Sequence, residues 1–163
     1  MALGLVAWTA PALGAWFDYN VLDHLRNAPI GVGARVNGKV ADRFGSQPAE
    51  LRVNCVNNST VVYITSERMI IVSASPISWS LDGGAAQRGY WQACQENNCL
   101  GLWNGAGIPF LKSLFDKSTF RYEIQPTTGG LYRGEFDVTG AKEGLRSVGV
   151  ACGWLPKEEP KKP

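Results

Sequence analysis

Phe120-Arg-Tyr-Glu-Ile-Gln-Pro-Thr-Thr-Gly-Gly-Leu-Tyr-Arg-Gly-Glu-Phe-Asp-Val138 is the stretch that decides the fold. Phe120, Tyr122 and Ile124 alternate with Arg121, Glu123 and Gln125. Past Pro126-Thr-Thr-Gly-Gly130, Tyr132, Phe136 and Val138 alternate with Arg133, Glu135 and Asp137. Successive side chains of a strand point to opposite faces, so each run has one apolar and one charged face. Two such runs across a Gly-rich turn form an antiparallel hairpin lying on a core. The carboxylates Glu135 and Asp137 then stand opposite Arg121 and Glu123, where cross-strand charge pairing accounts for them.

The same pattern extends upstream. Leu51-Arg-Val-Asn-Cys-Val56 and Thr60-Val-Val-Tyr-Ile-Thr65 flank Asn57-Asn-Ser59, two β-branched runs across an Asn-rich turn. Met69 to Ser73 and Ile77 to Leu81 read as further strands separated by Pro76, the second ended by Asp82-Gly-Gly84. Gly89 to Cys94 and Leu100 to Trp103 flank a small cysteine loop. The period then changes: Pro109 suits the first turn of a helix, and Ile108, Leu111, Leu114 and Phe115 share one helical face. Thr139 is placed to cap a last short helix, Ala141 to Val148. Near the N-terminus, Phe17 to Ala28 reads as a short helix or irregular lead-in, and residues 31 to 49 as loop holding at most one strand. The expected fold is mainly β, a single-domain antiparallel β-sandwich or partly open barrel with two short helices at its edge.

Composition bounds the function. The chain has 163 residues, enough for one domain, and 16 basic against 14 acidic side chains, a formal net charge of +2. That balance argues against nucleic-acid binding, which needs a clustered basic surface. No apolar run reaches the length of a membrane span. Met1 to Phe17 carries no charged residue; Ala2 to Trp8 is apolar and Thr9-Ala-Pro-Ala-Leu-Gly-Ala15 is small-residue-rich. This pattern predicts a signal peptide over residues 1–14, with cleavage after Ala12 or Gly14, although the usual basic segment before the apolar run is missing. Ala15 and Trp16 stand where a lipoprotein would have Cys. The expected mature domain is 15–154, followed by a flexible charged tail, 155–163.

Export agrees with four cysteines, Cys55, Cys94, Cys99 and Cys152, which admit three pairings. Cys94 and Cys99 enclose only Gln-Glu-Asn-Asn, a loop able to close on itself, which leaves Cys55 with Cys152. Zinc is the alternative, but there is no C-x-x-C pair and the lone His24 is remote, so neither metal nor cofactor is expected.

Read together, Leu51-Arg-Val-Asn-Cys55, Ile77-Ser-Trp-Ser-Leu-Asp-Gly83, Leu100-Gly-Leu-Trp-Asn-Gly105, Gly134-Glu-Phe-Asp-Val-Thr-Gly140 and Val150-Ala-Cys-Gly-Trp154 carry a resemblance. Residues 48 to 154 resemble the VasI/TagO family, exported bacterial envelope proteins associated with type VI secretion. The phrase F-D-x-[ST]-G, a short helix, then A-C-G-W is its most specific part. The resemblance implies an accessory protein without established catalysis, located in the periplasm or secreted, whose partner is an envelope or secretion-machine protein. It also implies the Cys55–Cys152 bridge, since members share those two cysteines. Cys94 and Cys99 look like an addition of this chain. Ser80 stands where the family often has Arg, so no ligand contact of that Arg carries over.

Other candidate chemistry is thin. Gly33-Ala-Arg-Val-Asn-Gly-Lys39 has P-loop spacing, but Val40 replaces the Ser or Thr that would bind magnesium. His24 has Asp18 and Asp23 nearby in sequence but no G-x-S-x-G elbow accompanies it. Carboxylate pairs such as Asp116 with Glu123 could serve a glycosidase. No catalytic residue is therefore assigned, and the chain reads as a non-enzyme. Trp154 is expected to pack over the Cys152 bridge and Trp79 within the core. Tyr90, Trp91 and Trp103, flanking the cysteine loop, are the candidate binding patch. Protein–protein binding is the first reading, a periplasmic glycan- or peptidoglycan-binding module the alternative, and a hydrolase the third.

Overall fold

The computed structural model describes residues 14–158. The expected signal peptide lies outside the described residues except for Gly14, and the expected tail is described only to Glu158. Nine strands and three short helices follow in order: β1 (Trp16–Asp23), β2 (Ala28–Asp42), β3 (Gly45–Val56), β4 (Ser59–Thr65), β5 (Ser75–Leu81), β6 (Gln87–Ala93), β7 (Cys99–Leu102), α1 (Ile108–Ser113), β8 (Thr119–Ile124), β9 (Tyr132–Asp137), α2 (Ala141–Gly144) and α3 (Arg146–Ala151).

All strand pairs are antiparallel. The sheet runs β1-β2-β3-β4-β7-β6-β5-β8-β9, and β9 pairs back onto β2. Eight strands, β2 to β9, therefore close into a barrel, and β1 is added outside it along β2. The expected mainly β fold is present. Its barrel is closed where a sandwich or partly open barrel was expected, and it carries three short helices where two were expected.

Closure depends on β2, the longest strand. One edge of β2 pairs with β3 throughout Gly31 to Asp42, while the other is shared end to end, by β1 over Ala28–Val36 and by β9 over Gly38–Ala41. Glycines make the shared edge possible. A Cβ at Gly38 would run into the Phe136 ring and the Glu135 carbonyl, and one at Gly134 into Tyr122 and the Lys39 carbonyl. At Gly33 it would meet the Tyr19 ring, which lies over that glycine. Gly33 and Gly38 make residues 31–49 read as loop; in the fold they are close approaches within a strand. The lead-in from Phe17 is likewise strand, its register shifting between Val21 and Leu22.

Phe120 sits in the core with Phe110, Tyr122 and Phe136 around it, ring centroids 5.1, 5.6 and 6.0 Å away. Full burial of one such side chain contributes roughly 1.5–3 kcal/mol. Phe120, Tyr122, Ile124, Phe136 and Val138 all point inward, as their alternation predicts. Helix α1 buries Phe110 and Leu111, and Phe110 packs edge-on against Trp79, Trp91 and Phe120.

Two expected elements differ. Met69 to Ser73 is not a strand, although Met69 and Ile71 point inward with strand-like alternation. The neighbouring ladders are already filled, β4 by β3 and β7, and β5 by β6 and β8. The segment is held instead by single bonds, Ile71 N–H to the Asn97 carbonyl at 2.8 Å and Ile70 N–H to the Tyr132 hydroxyl at 3.0 Å. The last helix is two helices meeting at Leu145. Thr139 does not cap them, because its hydroxyl donates to Asp137 Oδ1 at 2.6 Å and Gly140, in the left-handed region, takes the N-cap position.

Both disulfides are present, Cys55–Cys152 and Cys94–Cys99. The first joins the C-terminal end of α3 to β3 across 97 residues of chain, with Cα atoms 5.8 Å apart. Trp154 lies close by: its Nε1–H donates to Thr60 Oγ1 at 3.0 Å, and Thr60 is the ladder partner of Cys55. The second bridge closes the β6–β7 turn.

Candidate functional site

Among the described strands, β1 alone has a neighbour on one side only. Its other edge pairs with no described strand, and such an edge is what a partner strand adds to. Asp18 accepts a hydrogen bond from Ser147 of α3 at 2.8 Å, which ties β1 to the helical end. Phe17, 46 % exposed, and Leu22 leave apolar surface beside that edge.

The outer face next to that edge carries a continuous stripe of aromatic and charged side chains. Phe17 pairs with Arg35, Arg35 with Arg52, and Arg52 with Tyr63, on β1, β2, β3 and β4 in turn. The Arg35 guanidinium lies 5.9 Å from the centre of the Phe17 ring, and that of Arg52 lies 5.8 Å from the centre of Tyr19. Glu50 sits between the two arginines and bonds both, 2.6 Å from Arg35. Tyr19 donates its hydroxyl hydrogen to Asn54 Oδ1. Trp103 stacks on Tyr63 at 5.9 Å and extends the stripe towards β7.

These contacts set the ionisation of the stripe. Burial pushes the Tyr19 hydroxyl well above the usual tyrosine range, with Tyr63 and Glu50 adding to the effect and Arg52 opposing it. Burial alone would lower Arg52, but the hydrogen bond and charge of Glu50 more than offset it and hold the guanidinium above its ordinary value. Tyr19 therefore stays neutral and Arg52 charged throughout the physiological range. The stripe suits a partner offering backbone carbonyls, carboxylates or aromatic rings.

The structure takes Trp91 out of the expected binding patch. Tyr90 is 70 % exposed, whereas Trp91 is 2 % exposed and packs against Trp79 and Phe110. Adjacent residues of β6 point to opposite faces, so Tyr90 and Trp91 cannot share a surface. Trp103 belongs with Tyr63 on the outer stripe. The three do not form one patch.

The remaining candidates are placed plainly. His24 is exposed in the β1–β2 turn, where Asp23 Oδ1 accepts from the backbone N–H groups of Leu25 and Arg26. Residues 33–39 lie within β2 and form no phosphate loop. Glu123 pairs with Arg133 at 2.7 Å, and Glu135 with Arg121 at 3.2 Å and Lys39 at 3.6 Å. Among the described residues no cluster of three His, Cys, Asp or Glu side chains could hold a metal ion. No described helix is long and apolar enough to cross a membrane.

No family model matches the chain. No curated protein matches it in sequence. In structure, the chain resembles invasion associated protein B from Bartonella henselae. The match covers 85 % of this chain and 95 % of that one, with a TM-score of 0.52 and 12 % sequence identity. At that identity the likeness is one of fold. It places the small closed barrel, with its added elements, among architectures already seen in a protein described as invasion-associated.

Proposed function

We propose that the chain is an exported envelope protein that acts by binding another protein, as its resemblance to the VasI/TagO family implies. The observation that carries this reading is the edge of β1 that pairs with no described strand, beside the Phe17–Arg35–Arg52–Tyr63 stripe. A strand edge supplies affinity through main-chain hydrogen bonds, and flanking side chains select the partner. The interaction needs no covalent chemistry, so the function is proposed as non-enzymatic. Two disulfides support the export component, because such bonds persist in oxidising compartments. The fold shared with an invasion-associated protein is compatible with a role at the bacterial envelope.

The test is site-directed photocrosslinking in the envelope of the source cell. A photoreactive residue at Asn20 or Leu22 is expected to capture one protein species. The same group at Glu67, away from β1, is expected to miss it. Equal capture from all three positions, or from none, overturns the proposal. A cell-wall glycan is the alternative partner, and the Trp103–Tyr63 stack on the outer face is what favours it. Retention on purified peptidoglycan, lost in Trp103→Ala, would select that reading instead.

A further inference from the structure

A second surface lies at the end of β2 away from β1, where the Arg43-Phe44 turn, the 66–74 segment and the β8–β9 turn come together. They enclose an open cavity of about 970 Å³, near the upper end of the range for ligand-binding clefts. Its lining combines two features that the barrel itself does not require. Phe44, at the tip of a hairpin turn, is 72 % exposed, and Ile70 beside the cavity is exposed as well. Arg43, Arg68 and Arg133 line it together with Asp42.

The cations are held in place. Gln47, 8 % exposed, accepts from the backbone N–H and the Nε–H of Arg68 through one oxygen, at 3.1 and 3.0 Å. Arg68 also lies 3.9 Å from Asp42. Arg133 is anchored by Glu123 at 2.7 Å. Arg43 stacks over the Phe44 ring, 4.6 Å from its centre, and has no carboxylate partner among the described residues. Beneath them, Tyr132 accepts the Ile70 N–H and ties the 66–74 segment to β9. Preset guanidiniums beside apolar side chains lose less entropy on binding than free ones and favour a planar anion.

We propose that this cleft binds a peptide segment carrying a carboxylate next to an apolar side chain. Arg43 and Arg68 take the carboxylate, and Phe44 and Ile70 take the apolar group. With Arg133 engaged by Glu123 and Arg68 near Asp42, Arg43 is left without a carboxylate among the described residues, and this argues for an acidic occupant. The concave lining, with half-buried Tyr132 among the exposed Phe44 and Ile70, argues for a peptide over a flat lipid surface. The proposal stands apart from the β1 edge, which lies along the other half of β2.

The test is titration of the ¹⁵N-labelled full chain with two capped octapeptides, one alternating leucine and aspartate, the other leucine and asparagine. The acidic peptide is expected to shift the amides of Ile70, Gly129 and Gly130 and to bind at least tenfold more tightly than its neutral counterpart. Arg43→Glu and Phe44→Ser, both at an exposed turn, are each expected to weaken it at least tenfold with unchanged melting temperature, while Arg43→Lys retains most of the binding. Equal binding of both peptides, shifts confined to β1, or an unaffected Arg43→Glu overturns the proposal. So does Arg43-dependent binding to phosphatidylglycerol vesicles without binding of the acidic peptide.

Discussion

Arg52 lies directly opposite Tyr63 across the β3–β4 ladder, and two turn residues, Asn57 and Asn58, set that pairing. Both have positive φ, 49° and 59°. A two-residue turn of this kind matches the right-handed twist of its strands, and glycine suits its second position best. Asn58→Gly is therefore expected to raise stability by a few tenths of a kcal/mol, and Asn58→Val to lower it by about 1–2 kcal/mol. Urea denaturation followed by tryptophan fluorescence checks both. Equal midpoints for the two variants would mean that the turn does not hold the register.

The seam between β2 and β9 predicts a sharper effect. Gly38 and Gly134 face Phe136 and Tyr122 at distances that leave no room for a methyl group. Gly38→Ala and Gly134→Ala are each expected to cost about 1–3 kcal/mol through overpacking. Gly89→Ala is the control: its Cβ would sit in ordinary contact with the Trp79 ring, the nearest atom 3.4 Å away. It is expected to be neutral or stabilising by up to about 1 kcal/mol. If Gly89→Ala is as damaging as Gly38→Ala, close approach at the seam is not what excludes a side chain there.

That seam also shows what the sequence could and could not reveal. The β3–β4 and β8–β9 hairpins were legible because period-two alternation specifies which face each strand buries. The sequence points to a turn at Asn57-Asn-Ser59, which would set Arg52 opposite Ile64; in the fold Ser59 joins β4, the turn has two residues, and Arg52 faces Tyr63. β1 and β2 were not legible. Gly31, Gly33 and Gly38 serve contacts with Val56, Tyr19 and Phe136, which are distant in sequence, and a local reading meets them only as turn formers. The 69–73 segment failed in the opposite direction: it has a strand's alternation but no ladder left to join. Trp91 reads as a surface residue from its place beside a loop, although its position one residue from Tyr90 on a strand puts the two on opposite faces.

The two disulfides are expected to contribute unequally. In the chain-entropy account the stabilisation grows with the loop closed, about 4.7 kcal/mol for the 97-residue Cys55–Cys152 loop and about 2 kcal/mol for Cys94–Cys99. The long bridge also fixes α3 to β3, beside the Trp154–Thr60 hydrogen bond. Cys55→Ala with Cys152→Ala should therefore lower the denaturation midpoint markedly more than Cys94→Ala with Cys99→Ala. The reverse order would show that the helical end is held mainly by packing.

Asp82 should give the chain an identifiable acid-sensitive component. It ends β5 at a positive φ of 50°, and its Oδ1 accepts the backbone N–H groups of Thr119 at 2.8 Å and Ser118 at 2.9 Å, just where β8 begins. Those two hydrogen bonds, Thr119 first, hold its carboxyl below the ordinary aspartate value, with a smaller contribution from Lys117. A carboxyl whose folded value is depressed contributes stability that is fully present above its unfolded value, about 3.9, and is lost as pH falls through the folded value. Asp82→Asn keeps an acceptor oxygen and tolerates the positive φ, so it removes little besides the charge. The wild-type chain should accordingly exceed Asp82→Asn in stability by a constant amount from pH 7 to about 5. That gap should narrow below about pH 4 and close once the folded carboxyl is protonated. Urea midpoints for both proteins between pH 7 and pH 2 read this directly. A gap that stays constant into the acid range would assign the loss to geometry at the β5 turn instead of to the carboxylate.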